Sequence, residues 1–395
     1  LRVALVIDRF DPGRGGGEGY AVSLAQGLAA RGHEVHIFAQ SWEEPSGGLR
    51  YHGLPRISYP RWAKAMMLAV TAQRRVGRQG FHVVHGFGGV PGVDVHRPGG
   101  GAELAWLAQE IRSRERGWDR AATAFRRTLS MKLAINLLVE GRLYRPTSPT
   151  WVVANSAKVR SDILRCHRSM DPGRIRLIPN GVDLRRYHPE NRERLGKEVR
   201  RRLGLSEETT VLLFMAHNFR LKGLHCLMRA LGGLEDRRGT PPWVLLVAGR
   251  GRRGPFEVLA QRCGIGERTL FLGPMREPEA VLGASDVLVH PTFYDPFSNV
   301  CLEAMASGLP VVTSSQNGAG EIIREGESGF VISDPNRTDL LRERIMTLMD
   351  RRRREAMGQL ARGIAGEFSW EKHISQMEEM YGLVRESKEK ALQER

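Results

Sequence analysis

Asp295 and Glu303 stand in one stretch, residues 290–323, with seven residues between them. The apolar run 286–290 before them reads as a buried strand, closed by Pro291. Ser298 or Asn299 can cap the helix that follows, because a short polar side chain accepts a first-turn N–H. Gly308 and Pro310 stop that helix, and 311–313 is a second strand. Asp295 is therefore expected in a loop at the carboxyl end of a strand, where open α/β sheets bind ligands. The helix start offers N–H groups and a positive dipole end to an anion. A carboxylate cannot hold a phosphate, but it accepts hydrogen bonds from the hydroxyls of a sugar or ribose. The pattern suits a ligand with a diphosphate in the middle and hydroxyl-rich rings at either end, which describes a nucleotide-sugar. Taken alone, Glu303 could equally face solvent on a surface helix.

Further polar groups follow other strands. Residues 211–216 read as a buried strand and 224–231 as a helix, so Lys222 stands just before a helix start. There its ammonium can meet a phosphate as a point charge; a solvated loop lysine is the plainer reading. Arg220 lies in the same turn. Near the chain start, the strand 3–7 runs into the glycine turn 13–19. A helix follows, with Ala21, Leu24, Ala25, Leu28 and Ala29 in register, and then a strand at 35–38. Gly15 and Gly16 would let the backbone approach a diphosphate or a sugar. The turn lacks the spacing of a dinucleotide fingerprint, so a structural turn stays open as an alternative. Residues 62–76 read as a helix and 81–85 as a strand. The glycine-rich 86–101 then reads as an irregular loop. Its Asp94, His96 and Arg97 either bind an acceptor or satisfy the loop's own backbone. The strands 244–248 and 269–272 also end in glycine turns, the second leading to Met275 and Arg276. In 317–321, Glu321 either touches a ligand or caps its helix.

In order and across nearly the whole chain, these motifs resemble retaining glycosyltransferases of family 4, which have the GT-B fold. The signature there is Glu-x7-Glu; here the first acid is Asp295, one methylene shorter. The wording Asp-Pro-Phe-Ser-Asn is similar to a variant in lipopolysaccharide-core transferases of that family, and the loop 86–101 is similar to that of the transferases that add glucose to the heptose core. The resemblance implies an α/β chain of two Rossmann-like domains, 1–188 and 203–366, facing across a cleft. Residues 367–395 would cross back as a helix onto the first domain. It implies Lys222, and with it Arg220, on the donor diphosphate, and Glu303 on the ribose. Asp295, Phe297, Ser298, Asn299 and Val300 would surround the sugar and its departing phosphate. Met275 and Arg276 would hold the base, Gly15 and Gly16 would face the donor, and Asp94, His96 and Arg97 would bind the acceptor. The implied reaction moves a sugar from a UDP- or ADP-sugar, a substrate rather than a cofactor, to a saccharide or lipid-linked acceptor. It would retain configuration, need no metal, and be gated by domain closure. A transferase for another glycolipid or polysaccharide acceptor, a GT-B nucleotide-sugar epimerase and a nucleic-acid binding module are the alternatives.

Bulk properties bound the rest. The chain has 395 residues and 41% apolar residues, enough for two or three packed cores. The four cysteines are scattered without metal spacing, as expected of reduced thiols in a cytoplasmic protein. No run approaches the ~18 apolar residues of a membrane span. The chain starts at Leu1 and enters a strand at once without signal-peptide anatomy, so a few residues before it are expected to be missing. A net charge of +16 calls for a negatively charged partner. No zinc-finger, RRM or basic-zipper pattern is present, which disfavours nucleic acid. Residues 103–145 read as helical, basic and rich in apolar residues. They would either lie on the anionic inner face of a membrane or form a solvated face. Residues 191–202 read as a charged linker opening a helix, 337–367 as helical with 351–354 a solvated face, and 368 onward as a last helix with a charged tail, 386–395.

Overall fold

Short runs of valine, leucine and isoleucine alternate with helices along the described residues, which are 1–13, 15–43, 47–56, 61–77, 79–234 and 241–393 of a computed structural model. Arg14 of the glycine turn and the last two residues of the tail lie outside them. The chain forms two units: residues 1–111, 116–180 and 370–395 make one, and 112–115 with 181–369 make the other. The first domain boundary therefore falls after Asn180, ahead of the position 188 expected from sequence.

In the first unit the strands are β1 (Arg2–Val6), β2 (Arg9–Phe10), β3 (Glu34–Ala39), β4 (Ser41–Trp42), β5 (Leu49–Gly53), β6 (Val83–Phe87), β7 (Val95–Arg97), β8 (Trp151–Ala154) and β9 (Ile175–Leu177). Seven of them form a parallel sheet in the order β5-β3-β1-β6-β7-β8-β9, while β2 and β4 pair separately. Successive side chains of a strand point to opposite faces, and the core divides that way. Val3 and Leu5 join one cluster, Ala4 and Val6 the other. The helix Trp370–Gln393 lays Ile374, Met377, Met380, Tyr381 and Val384 into the first of these clusters. It crosses the helix Gly16–Ala30 so closely that a Cβ on Gly27 would lie 2.1 Å from Ile374 Cδ1.

The second unit holds β10 (Thr210–Met215), β11 (Trp243–Ala248), β12 (Thr269–Gly273), β13 (Val287–His290), β14 (Val311–Ser314) and β15 (Gly329–Ile332), all parallel, in the order β12-β11-β10-β13-β14-β15. Leu212 and Phe214 face one helical layer, Val211 and Leu213 the other. Buried on both faces, these strands carry continuous apolar runs, as parallel sheets do.

Several expectations are corrected. Residues 95–97 form β7 inside the sheet rather than loop. The stretch 103–145 is three helices, Glu103–Arg112, Gly117–Thr128 and Met131–Leu143. Residues 191–202 are no free linker. They are helical, and Arg192 and the buried Arg200 clamp Asp286 at 2.9 and 3.3 Å. The segment 337–367 breaks into Thr338–Thr347 and Arg351–Ala365 at Asp350, whose carboxylate accepts the Arg353 N–H at 2.8 Å. Within the supposed solvated face, Arg354 is buried and donates to the carbonyls of Leu348 and Met349, closing the preceding helix.

Candidate functional site

In the second sheet β10 and β13 are neighbours, but the chain leaves them in opposite directions. A crevice forms outside the carboxyl ends of such a strand pair, and open α/β sheets bind ligands there. Lys222 follows β10 and Asp295 follows β13, so the fold brings them to the two sides of this switch point. They meet: Lys222 Nζ donates to Asp295 Oδ2 at 2.6 Å and to the Tyr294 carbonyl at 2.9 Å.

The surrounding backbone explains the closeness. The turn of Lys222 docks on the loop after β13, where the Phe293 N–H donates to the Leu221 carbonyl at 2.8 Å. Gly223 has φ 80°, and a Cβ there would lie 2.0 Å from the Pro291 carbonyl oxygen, so a side chain fits neither the conformation nor the space. The Asp295 N–H donates to the Gln316 carbonyl at 3.0 Å, and its own carbonyl accepts the Gly318 N–H at 2.9 Å. His290, fully buried at the end of β13, places Nε2 3.5 Å from Asp295 Oδ2. Burial alone would raise the Asp295 pKa, but Lys222 and His290 overrule it and hold the carboxyl well below its usual range.

The helix Asn299–Ala306 starts beside this loop. Ser298 occupies its N-cap position, yet its hydroxyl takes no first-turn N–H, against the expectation of a side-chain cap. The hydroxyl turns to the Cys301 thiol instead, and the Ser298 N–H donates to Asn317 Oδ1 at 3.1 Å. Phe297 is buried in the core with Cys301 and Leu302, so its ring faces packing and only its backbone is left for a ligand. Asn299, Val300 and Glu303 are half-buried. Glu303 lies by Tyr187 and Arg186 rather than by Lys222. Burial pushes its carboxyl up to about 7, against the opposing pull of Arg186 and a hydrogen bond with Tyr187.

The other candidates are spread more widely. Arg220 Nη1 stands 3.8 Å from Glu115 Oε1 and has no bond to Asp295, so its charge is partly answered already. Met275 and Arg276 are exposed in the turn after β12, the edge strand of the sheet. Glu321 is exposed in the turn Gly318–Ile322; the cap there is Asn317, which accepts the Ala319 N–H at 3.1 Å. In the first unit, Gly15 precedes the helix Gly16–Ala30, which has no side-chain cap. Asp94 Oδ2 accepts the Val84 N–H and the Lys388 ammonium, both at 2.8 Å. His96 is buried against the Tyr144 hydroxyl at 3.1 Å, and Arg97 is buried against Asn180. These three serve the sheet and its neighbours, not an open loop; of them only Arg97 keeps a charge without an answering one.

Sequence reasoning passed over His290, Tyr187 and Asn317. The first closes an apolar run directly before Pro291, which is a usable signal for a group at a strand's carboxyl end. Tyr187 acts through a contact with a segment distant in sequence, and no local pattern marks it; Asn317 opens an Asn-Gly turn and caps it, which is a usable local signal. Among the described residues, no group of three or more His, Cys, Asp or Glu side chains is arranged to hold a metal ion. All four cysteines are free thiols.

A family profile described as "Glycosyl transferases group 1" matches residues 196–363, and one described as "Glycosyltransferase Family 4" matches residues 14–102. The protein is a glycosyltransferase that carries a domain of each group. The first match contains Lys222, Asp295 and Glu303; the second contains Gly15, Gly16, Asp94, His96 and Arg97. The glycosyltransferase is 25% identical to lipopolysaccharide glucosyltransferase WaaG of Escherichia coli (strain K12), over 81% of this chain and 82% of that protein. It is 29% identical to a D-inositol 3-phosphate glycosyltransferase of Actinosynnema mirum, over 95% and 94% of the two chains. The crystal structure of WaaG superposes with a TM-score of 0.78 at 23% identity, covering 94% of this chain and 98% of that one. Anabaena HepE in complex with UDP-glucose superposes with a TM-score of 0.71 at 18% identity, covering 96% and 99%. The fold is GT-B.

Proposed function

We propose that this glycosyltransferase moves a sugar from a nucleoside-diphosphate sugar, a UDP- or ADP-sugar, to a hydroxyl of a lipopolysaccharide-core saccharide, with retention and without a metal. The observation that carries the reading is the convergence of Lys222 and Asp295 at the switch point of the second sheet. An ammonium has three donors. Two are engaged by Asp295 and the Tyr294 carbonyl, and the third is available to a phosphate oxygen. The similarity to WaaG supports the acceptor class, and the similarity to HepE in complex with UDP-glucose supports the donor class.

In the reaction the bond between the sugar's anomeric carbon and the diphosphate oxygen breaks. Negative charge grows on the leaving phosphate while the ring carbon becomes cationic. Lys222 and the uncapped start of the helix Asn299–Ala306 stabilise that charge where it develops. Glu303 accepts from the ribose hydroxyls, and Asp295 accepts from a hydroxyl of the transferred sugar. The acceptor oxygen forms the new bond on the face the phosphate leaves, and its proton passes to the departing phosphate.

A surface feature suits a lipid-linked acceptor. On the helix Gly117–Thr128 and just beyond it, Trp118, Phe125 and Leu129 are 67%, 69% and 69% exposed, while Thr123 is buried. The apolar stripe points outward, the reverse of a core-facing helix. Exposed Arg116, Arg120, Arg126 and Lys132 flank it. A basic helix with outward aromatic residues lies flat in an anionic lipid interface. Among the described residues, no helix is long and apolar enough to cross a membrane.

The test is transfer from a panel of UDP- and ADP-sugars to heptose-containing saccharides in the presence of EDTA, with the product's anomeric configuration read by NMR. Retained configuration in EDTA, and turnover at least tenfold lower in Lys222→Ala with an intact fold, are expected. Inverted product, loss of activity in EDTA, or near-normal turnover in the variant would each remove the corresponding part of the reading.

A further inference from the structure

Arg97 ends β7 and is 3% exposed. A guanidinium is not neutralised in a protein, so the first unit carries a buried positive charge. Such a charge is ordinarily paired, because burying it alone is costly. Among the described residues no carboxylate pairs with Arg97. Its Nη2 donates to the neutral Asn180 Oδ1 at 2.5 Å, and its guanidinium lies 3.6 Å from the centroid of the Tyr20 ring. Its buried Nε has no acceptor. The other ionisable groups around it are His85, His96, His373 and Tyr20. Burial favours the neutral form of each, and Arg97 itself pushes His85 and His373 further that way.

The same end of the sheet is unfinished in a second respect. Asn155 directly follows β8, the strand beside β7, and its Oδ1 is buried without a partner. His85 Nε2, on β6 at the other side, is also unpartnered. Buried polar atoms without partners are rare and ask for a reason. The glycine-rich turn after β7 lies against the guanidinium, where a Cβ on the exposed Gly99 would make ordinary contact with Nη1 at 3.5 Å. Tyr20, which stacks on Arg97, belongs to the helix Gly16–Ala30, whose N-terminus is at the carboxyl end of β1 and carries no side-chain cap.

We infer that Arg97 is the counter-charge for a phosphate or carboxylate group on the acceptor, bound at the carboxyl edge of the first unit's sheet. This rests on the glycosyl-transfer reading and deepens it, for it makes the acceptor an anionic molecule. The other source of such an anion is the donor's diphosphate, which has its own cation, Lys222, in the second unit.

Inorganic phosphate is the probe and thermal melting of the full chain the readout, with chloride at equal ionic strength as reference. A ligand that binds only the folded state raises the melting temperature by an amount that grows with the logarithm of its concentration over its dissociation constant. With UDP saturating the donor side, phosphate is expected to raise it further for the parent, to raise it for Lys222→Ala, and not to raise it further for Arg97→Met. Without phosphate, Arg97→Met should melt no lower than the parent, because it exchanges an unpaired buried charge for an apolar chain. UDP should shift the parent and Arg97→Met alike, which reports the donor side separately. A phosphate shift that survives in Arg97→Met under saturating UDP overturns the proposal. So does one lost in Lys222→Ala, which would place the anion on the donor side. A UDP shift absent from the parent sinks instead the nucleotide-sugar reading on which the proposal rests. Arg97→Gln, which keeps a hydrogen bond to Asn180, repeats the test should Arg97→Met fail to fold; collapse of both makes Arg97 a structural group and ends the proposal.

Discussion

Glu303 and Asp295 are both carboxyl groups of the second unit, proposed for the donor, and their surroundings push them in opposite directions. Burial lifts Glu303 to about 7, whereas Lys222 and His290 hold Asp295 low. A ribose hydroxyl binds most strongly to the charged carboxylate. The donor KM should therefore rise as pH falls through about 7, as Glu303 takes up its proton, and Glu303→Gln should flatten that step. A KM profile of the variant as steep as the parent's would assign the step to another group. For Asp295 the sign is the reverse. Its folded pKa is depressed, so its contribution to stability is present above the ordinary aspartate range, near ~3.9, and is lost as pH falls through the lower folded value. Lys222→Ala strands this charge. Breaking a buried pair costs about 3–5 kcal/mol, and the partial exposure of both side chains sets the expectation toward the lower end. Asp295→Asn in the Lys222→Ala background should recover part of the lost melting temperature. A double variant that melts still lower than Lys222→Ala would show that Asp295 is not the stranded group.

Single side chains reach this arrangement only because the elements carrying them are locked. The turn before the helix Leu224–Gly232 rests on Pro291 through Gly223, and that contact joins the segment after β10 to the segment after β13. Gly223→Ala meets both a left-handed backbone and an occupied space, so it should cost roughly 1–3 kcal/mol. It should also lower turnover by displacing Lys222. A melting curve and a rate within error of the parent would mean that the turn is free to move. The elements themselves were largely readable. Each strand expected in the second unit exists, because burial on both faces of a parallel sheet leaves uninterrupted apolar runs. β7 escaped because its three residues are one valine and two polar groups. A sheet interior tolerates His96 and Arg97 only through Tyr144, Tyr20 and Asn180, from segments that no local pattern connects to them. The segment 191–202 escaped for a related reason. It reads as a charged linker opening a helix, and the partner of its arginines, Asp286, lies far along the chain. The Lys222–Asp295 pair shows the intermediate case. Each residue was legible from its place after a strand, but their meeting depends on β10 and β13 being neighbours, and strand order is not written in either stretch.

At the scale of the whole molecule the net charge of +16 and the outward stripe on the helix Gly117–Thr128 bear on one question, where the protein works. Charge alone would produce weak, salt-sensitive attraction to any polyanion. Exposed aromatic residues alone would mark an apolar patch with no preference for lipid charge. Together they suit the proposed membrane surface, which is negative and also has an interior to enter. Each basic residue near an anionic leaflet contributes about 1 kcal/mol, and that part is screened by salt. The part from Trp118, Phe125 and Leu129 follows the apolar area they bury and is not screened. Vesicles containing phosphatidylglycerol should therefore retain the protein at low salt, and vesicles of phosphatidylcholine alone should not. Raising the salt should release most of the parent. A Trp118→Ser, Phe125→Ser double variant should bind several-fold more weakly even at low salt, with its transfer rate to a soluble acceptor unchanged. Equal retention on both vesicle types, or a double variant that binds as the parent does, would return the stripe to an ordinary exposed surface and leave the positive charge to soluble anions such as the acceptor group assigned to Arg97.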